Sequence, residues 1–188
     1  MRSVAIAIVI LGLTAAALSA QPAAPANPLT TELKQAYDRV TNNLLRMAEK
    51  MPEENYSFKP VPEIRDFRET MAHTIDYQMR TCSMVNGEAK SVDAASKKTK
   101  AEIVEAMKTS MSECAKAFDS LTDQTIVQMM AGGRGPQRSK LATLNGVVAH
   151  NNEEYGYLAV YLRLKGIVPP SSEGGGMAPG TPARRGGM

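Results

Sequence analysis

Two histidines are present in the whole chain, and each falls inside a long stretch of helical periodicity. His73 lies in the middle of one such stretch. His150 lies in the middle of another, with Glu154 four residues later. That spacing puts both side chains on one face of a helix. A neutral imidazole is a borderline ligand and a carboxylate adds a hard, charged oxygen. Two His and one Glu on facing helices therefore form a ligand set for a divalent metal. Zn2+ suits it best, with Ni2+ or Fe2+ as alternatives, and positions remain open for water. The opposing reading makes both imidazoles hydrogen-bonded core residues and pairs Glu154 with a Lys or Arg. H-E-x-x-H is absent. Glu153-Glu154 does not make a di-iron bundle, because neither His has a Glu three residues before it.

The other chemistry-bearing residues are Cys82 and Cys114, which lie 32 positions apart. In an oxidising compartment such a pair forms one disulfide, with a loop-closure contribution of roughly 3–4 kcal/mol. The alternative is two buried free thiols. C-x-x-C and C-x-x-C-H are both missing, so thioredoxin-like exchange, a Cys-rich zinc site and attached haem are excluded. No G-x-S-x-G, P-loop or G-x-G-x-x-G fingerprint occurs. Gly132-Gly133-Arg134-Gly135 lacks the strand-turn-helix setting of a phosphate cradle and reads as a flexible loop.

The amino terminus supplies the compartment. Arg2 is followed by a 15-residue apolar run, Val4 to Leu18, and then by small residues at Ser19 and Ala20. This is the layout of a signal peptide over residues 1–20, cut after Ser19 or after Ala20. A spanning helix needs about 20 apolar residues, so an uncleaved anchor is the lesser reading. Residues 21–27 form a flexible leader. The expected location is secreted or periplasmic, with no membrane association after cleavage.

Four helical segments must position these residues. Leu33, Tyr37, Val40, Leu44 and Met47 recur in steps of three and four between Asn27, a capping residue, and Pro52. A second segment runs from about Asp66 to Val85, with an Asp66/Glu69 capping box and an Asn86-Gly87 stop. A third starts at Thr99 with Glu102 three residues on. A fourth runs from Ser139 to Lys165, with Gly166 placed after its end. The fourth carries two adjoining stripes: Leu144, Val148, Tyr155, Leu158 and Leu162 beside Val147, His150, Glu154, Tyr157 and Tyr161. Between the first two, Pro52 to Pro62 is an extended connector whose aromatics pack on the bundle. Cys82 and Cys114 fall on the apolar stripes of adjacent segments.

Composition agrees with this class. Met reaches 12, Trp is absent and aromatics are 5% of 188 residues, a poor set for a sheet. The formal charge is +3, with both signs spread along the chain and no basic block. A nucleic-acid binder is excluded on that ground. The expected fold is all-α, a four-helix bundle with long connections over residues 28–170. Residues 171–188 are rich in Gly, Pro, Ala and Arg and read as a disordered tail.

Two stretches carry a resemblance. One is Val61-Pro-Glu-Ile-Arg-Asp-Phe-Arg-Glu-Thr-Met-Ala-His73. The other is Val148-Ala-His150-Asn-Asn-Glu-Glu154-Tyr-Gly156, continuing to Tyr161-Leu-Arg-Leu-Lys-Gly-Ile-Val-Pro-Pro170. Together they resemble the DinB-like family of helical bundles, also called YfiT-like metalloenzymes, in an exported bacterial form. The resemblance implies an up-up-down-down bundle and frequent homodimers. It also implies a metal held by three His, one on the second helix and two on the last. Carried over, these positions are His73, His150 and Glu154, the last a departure from the usual His. The implied function is a metal-dependent enzyme acting on a small molecule, by metal-assisted hydrolysis or thiol-type transfer. Glu153 and Tyr157 are the available guesses for a base. The alternative is a non-catalytic exported bundle that binds a small ligand or metal.

Overall fold

The computed structural model describes residues 25–130 and 136–173. The expected signal peptide, most of the leader, the Gly132–Gly135 turn and the chain from 174 onward lie outside the described residues.

Among the described residues five α-helices follow in order: α1 Pro28–Lys50, α2 Phe67–Val85, α3 Lys100–Asp119, the single turn α4 Asp123–Ile126, and α5 Lys140–Leu164. The caps of the long helices explain where they begin. Asp66 and Glu69 form a reciprocal capping box before α2, Thr99 and Glu102 do the same before α3, and the Ser139 hydroxyl accepts the Ala142 amide before α5. Gly166 ends α5 with φ +72°, a left-handed conformation that suits a residue without Cβ. The start of α1 differs from expectation. Asn27 makes no side-chain cap. Its Oδ1 instead accepts the Asp123 amide, and the Asp123 carboxylate accepts the amides of Leu29 and Thr30. A residue nearly a hundred positions away thus caps the first helix.

The long helices form a ring in which α1 touches α3 and α5, and α2 touches α3 and α5. Their directions follow from named contacts. Lys100, at the start of α3, donates through Nζ to the Glu49 and Met51 carbonyls at the end of α1, so these two helices are antiparallel. Gln78 meets Ser110 and Cys82 meets Cys114, so α2 and α3 run parallel. Tyr161 reaches Arg65 while His150 reaches His73, so α5 opposes α2. The order is up, down, down, up, which corrects the up-up-down-down order implied by the resemblance. The cause lies in the connectors. Residues 51–66 fold back on themselves, with Arg68 and Phe67 amides donating to the Tyr56 and Phe58 carbonyls, and so reverse the chain. Residues 87–99 instead return along the flank of α2, where Asp76 accepts the Ala94 and Ala95 amides.

The core has two apolar halves. One gathers Leu44, Met47, Met71, Ile75, Met107 and Leu158; the other gathers Tyr37, Cys82, Cys114, Phe118, Leu144 and Val147. Between them each long helix contributes a fully buried polar residue: Thr41, Gln78, Ser110 and Asn151. The Gln78 amide joins three helices, donating to Ser110 Oγ and accepting from Asn151 Nδ2 at 3.0 Å. Buried polar groups without such partners would be strongly unfavourable. In the second half, a disulfide joins Cys82 and Cys114, both fully buried.

Residues 171–173, assigned to the tail on composition, fold into a turn, Pro170–Ser172. Glu173 then pairs with Arg46 and Lys50 of α1. Among the described residues, no helix is long and apolar enough to cross a membrane.

Candidate metal centre

Beside this buried layer, α2 and α5 face each other. There His73, His150 and Glu154 meet, six residues into α2 and midway along α5. The two imidazole Nε2 atoms are 3.1 Å apart. Glu154 Oε1 stands 3.7 Å from His73 Nε2 and 3.6 Å from His150 Nε2. Tetrahedral ligands at about 2.0–2.2 Å from a zinc ion stand roughly 3.3–3.6 Å from one another. The three edges of this triangle, 3.1, 3.6 and 3.7 Å, fall within about 0.2 Å of that range, so small shifts would let them share an ion. His73 is half-buried, while Glu154 is almost wholly buried.

Electrostatics favour the same reading. Burial lowers the pKa of His73 from 6.5, and the nearby Arg65, His150 and Arg80 lower it further against the pull of Asp76. Burial likewise lowers His150, against smaller upward contributions from the Asn151 side chain and Glu153. Both rings are thus neutral near pH 7, the form that ligates a metal. Burial raises the Glu154 carboxyl, while Arg65 draws it down and Glu153 adds to the rise. Glu154 is therefore a buried acid whose two nearest partners are uncharged. Among the described residues none donates an ordinary hydrogen bond to it. A cation at the centre of the triangle would relieve that deficit.

Neighbouring side chains hold the rings. Tyr77 stacks on His150 with centroids 4.0 Å apart and planes 20° from parallel. His150 Nδ1 and the adjacent Asn151 Oδ1 are both buried and neither completes a hydrogen bond. One is a ring nitrogen that carries the proton when Nε2 ligates, and the other is a carbonyl acceptor.

The centre is reached from two sides. Glu154 lines a mainly apolar cleft of about 660 Å³, together with Ile64, Arg65, Tyr157 and Val160. His73 lines a polar cleft of about 440 Å³, which Arg65 also borders. Tyr157, expected on a non-solvated stripe, is exposed in the larger cleft, and its hydroxyl donates to exposed Glu153 at 3.1 Å. Neither joins the triangle. Tyr77, Asn151 and Arg65 were not singled out as functional by sequence. The spacing of Tyr77, four residues after His73, was the available signal for it.

The chain matches the DinB superfamily model over residues 36–158, and it belongs to that superfamily. No curated protein matches its sequence. Solved structures share the fold. A DinB-like protein from Bacillus cereus is 16% identical, with a TM-score of 0.64 over 74% of this chain and 95% of that one. A DinB-like protein from Bacillus subtilis is 20% identical, with a TM-score of 0.60 over 72% and 92%. A conserved protein from Enterococcus faecalis is 14% identical, with a TM-score of 0.59 over 72% and 95%.

Proposed function

We propose that this is an exported DinB-superfamily enzyme in which His73, His150 and Glu154 hold a divalent metal, Zn2+ above all, and act on a small molecule. The convergence of three donor atoms, each within 4.8 Å of the others, carries the reading. A bound ion supplies Lewis acidity, which serves hydrolysis of a polar bond or activation of a thiol. The chain's own residues do the rest. The two Nε2 atoms and one carboxylate oxygen bind, Tyr77 fixes the plane of the His150 ring, and the cleft beside Glu154 receives the substrate. Export is supported by the amino-terminal pattern and by the buried disulfide, which persists in oxidising compartments.

The mature protein should retain about one zinc per chain after dialysis, read by elemental analysis. His150→Ala should lose it while keeping its helical circular dichroism. Retention by His150→Ala would place the metal elsewhere and return the protein to the non-catalytic alternative. N-terminal sequencing of exported protein should begin at residue 20 or 21, and an intact Met1 would refute cleavage.

A further inference from the structure

We propose that the larger cleft recognises a small amphipathic monocarboxylate, with Arg65 as the residue that reads its charge. As the substrate class of the same centre, this rests on the proposed metal site for what becomes of the bound molecule.

The cleft has the size of a small-molecule site. Its walls are apolar: Ile64, Tyr157 and Val160 all stand well exposed along it. Such a wall takes an apolar chain or ring from water. Arg65 borders both this cleft and the polar one beside His73, so it stands on the ridge next to the triangle. Its charge is felt at His73, His150 and Glu154. Among the described residues its guanidinium meets no carboxylate within 4.0 Å and makes no hydrogen bond; Arg39 and Arg80 share that lack, but Arg65 is the one arginine that lines this cleft. A guanidinium presents a planar fork that matches a carboxylate. Glu63 and Glu154 line the same cleft. Their charges disfavour a second anionic group, so a monoanion that reaches Arg65 with an apolar body against Ile64, Tyr157 and Val160 is favoured over a dianion.

The test uses 4-phenylbutyrate and its neutral counterpart 4-phenyl-1-butanol, titrated into metal-free protein and followed by ligand-detected NMR. The acid should bind at least tenfold more tightly than the alcohol. Arg65→Gln should abolish that preference and leave the alcohol's affinity unchanged. Val160→Glu, at an exposed position of α5, should weaken both ligands. Equal affinities in the wild type, or a preference that persists in Arg65→Gln, overturns the proposal. So does acid binding that appears only after zinc is added, because the metal rather than Arg65 then holds the carboxylate. A wild-type dimer in sedimentation velocity that Val160→Glu dissociates, with no binding of either probe, makes the cleft a contact between two copies instead. Zinc content is measured in parallel on the wild type. Its failure sinks the metal reading and leaves the charge discrimination of metal-free protein standing.

Discussion

Glu154 brings an acid into a pocket where the two facing imidazoles are neutral, so without a cation it destabilises the fold that holds it. Two substitutions separate its roles. Glu154→Gln keeps the shape but loses the anionic donor. Zinc should be lost on dialysis, while the urea midpoint of the metal-free protein should hold or rise. A fall in that midpoint would mean that the carboxylate is structurally paired. Glu154→His restores a third imidazole at the same helical spacing and should keep the zinc. The ligand candidates were legible because their evidence is local: a His and a Glu four residues apart, and one further His. Asn151 was not, because its importance depends on Gln78, 73 positions away, which receives its amide. The exposure of Tyr157 was equally illegible. The stripe of α5 was read as one wall of a core, whereas part of it faces a cleft.

At the scale of elements, the boundaries of α2, α3 and α5 follow from caps made by neighbouring residues, and so they could be read directly. The start of α1 could not, since its cap is Asp123. That carboxyl is pushed up by partial burial, but the Thr30 and Leu29 amides and the Thr30 hydroxyl together hold it below the ordinary 3.8. A depressed acid contributes stability above its unfolded-state pKa, and the contribution is lost as pH falls through the folded-state value. Asp123→Ala should therefore lower the urea midpoint at pH 6, and the gap from wild type should narrow as the pH falls below the ordinary 3.8 and through the lower folded-state value. A gap that stays constant to pH 2 would show that the charge plays no part in the cap. Helix directions were illegible for a related reason. Periodicity fixes which face is buried, but the path of residues 87–99 along α2 decides whether α3 runs with it or against it.

For the whole molecule, the disulfide ties the far halves of two parallel helices whose connection is a long crossover. Closing a loop of this length contributes about 3–4 kcal/mol in the chain-entropy picture. Reduction of the intact protein should lower its unfolding free energy by roughly that amount, measured by urea titration with and without a phosphine reductant. An unchanged midpoint in protein whose thiols have been shown to be reduced would remove the bond from the account of stability.

The position of α5 also sets an order in time. Lodged between α1 and α2, it is the last long helix to be synthesised, and it carries two of the three donor groups. A nascent chain emerging from its amino end first owns a single histidine of the triangle. Under the proposed function, an ion held at this triangle would be captured only once the final helix has docked. A protein cut short before Ser139 would keep both cysteines and the residues of α1 to α4, but only one of the three donor groups.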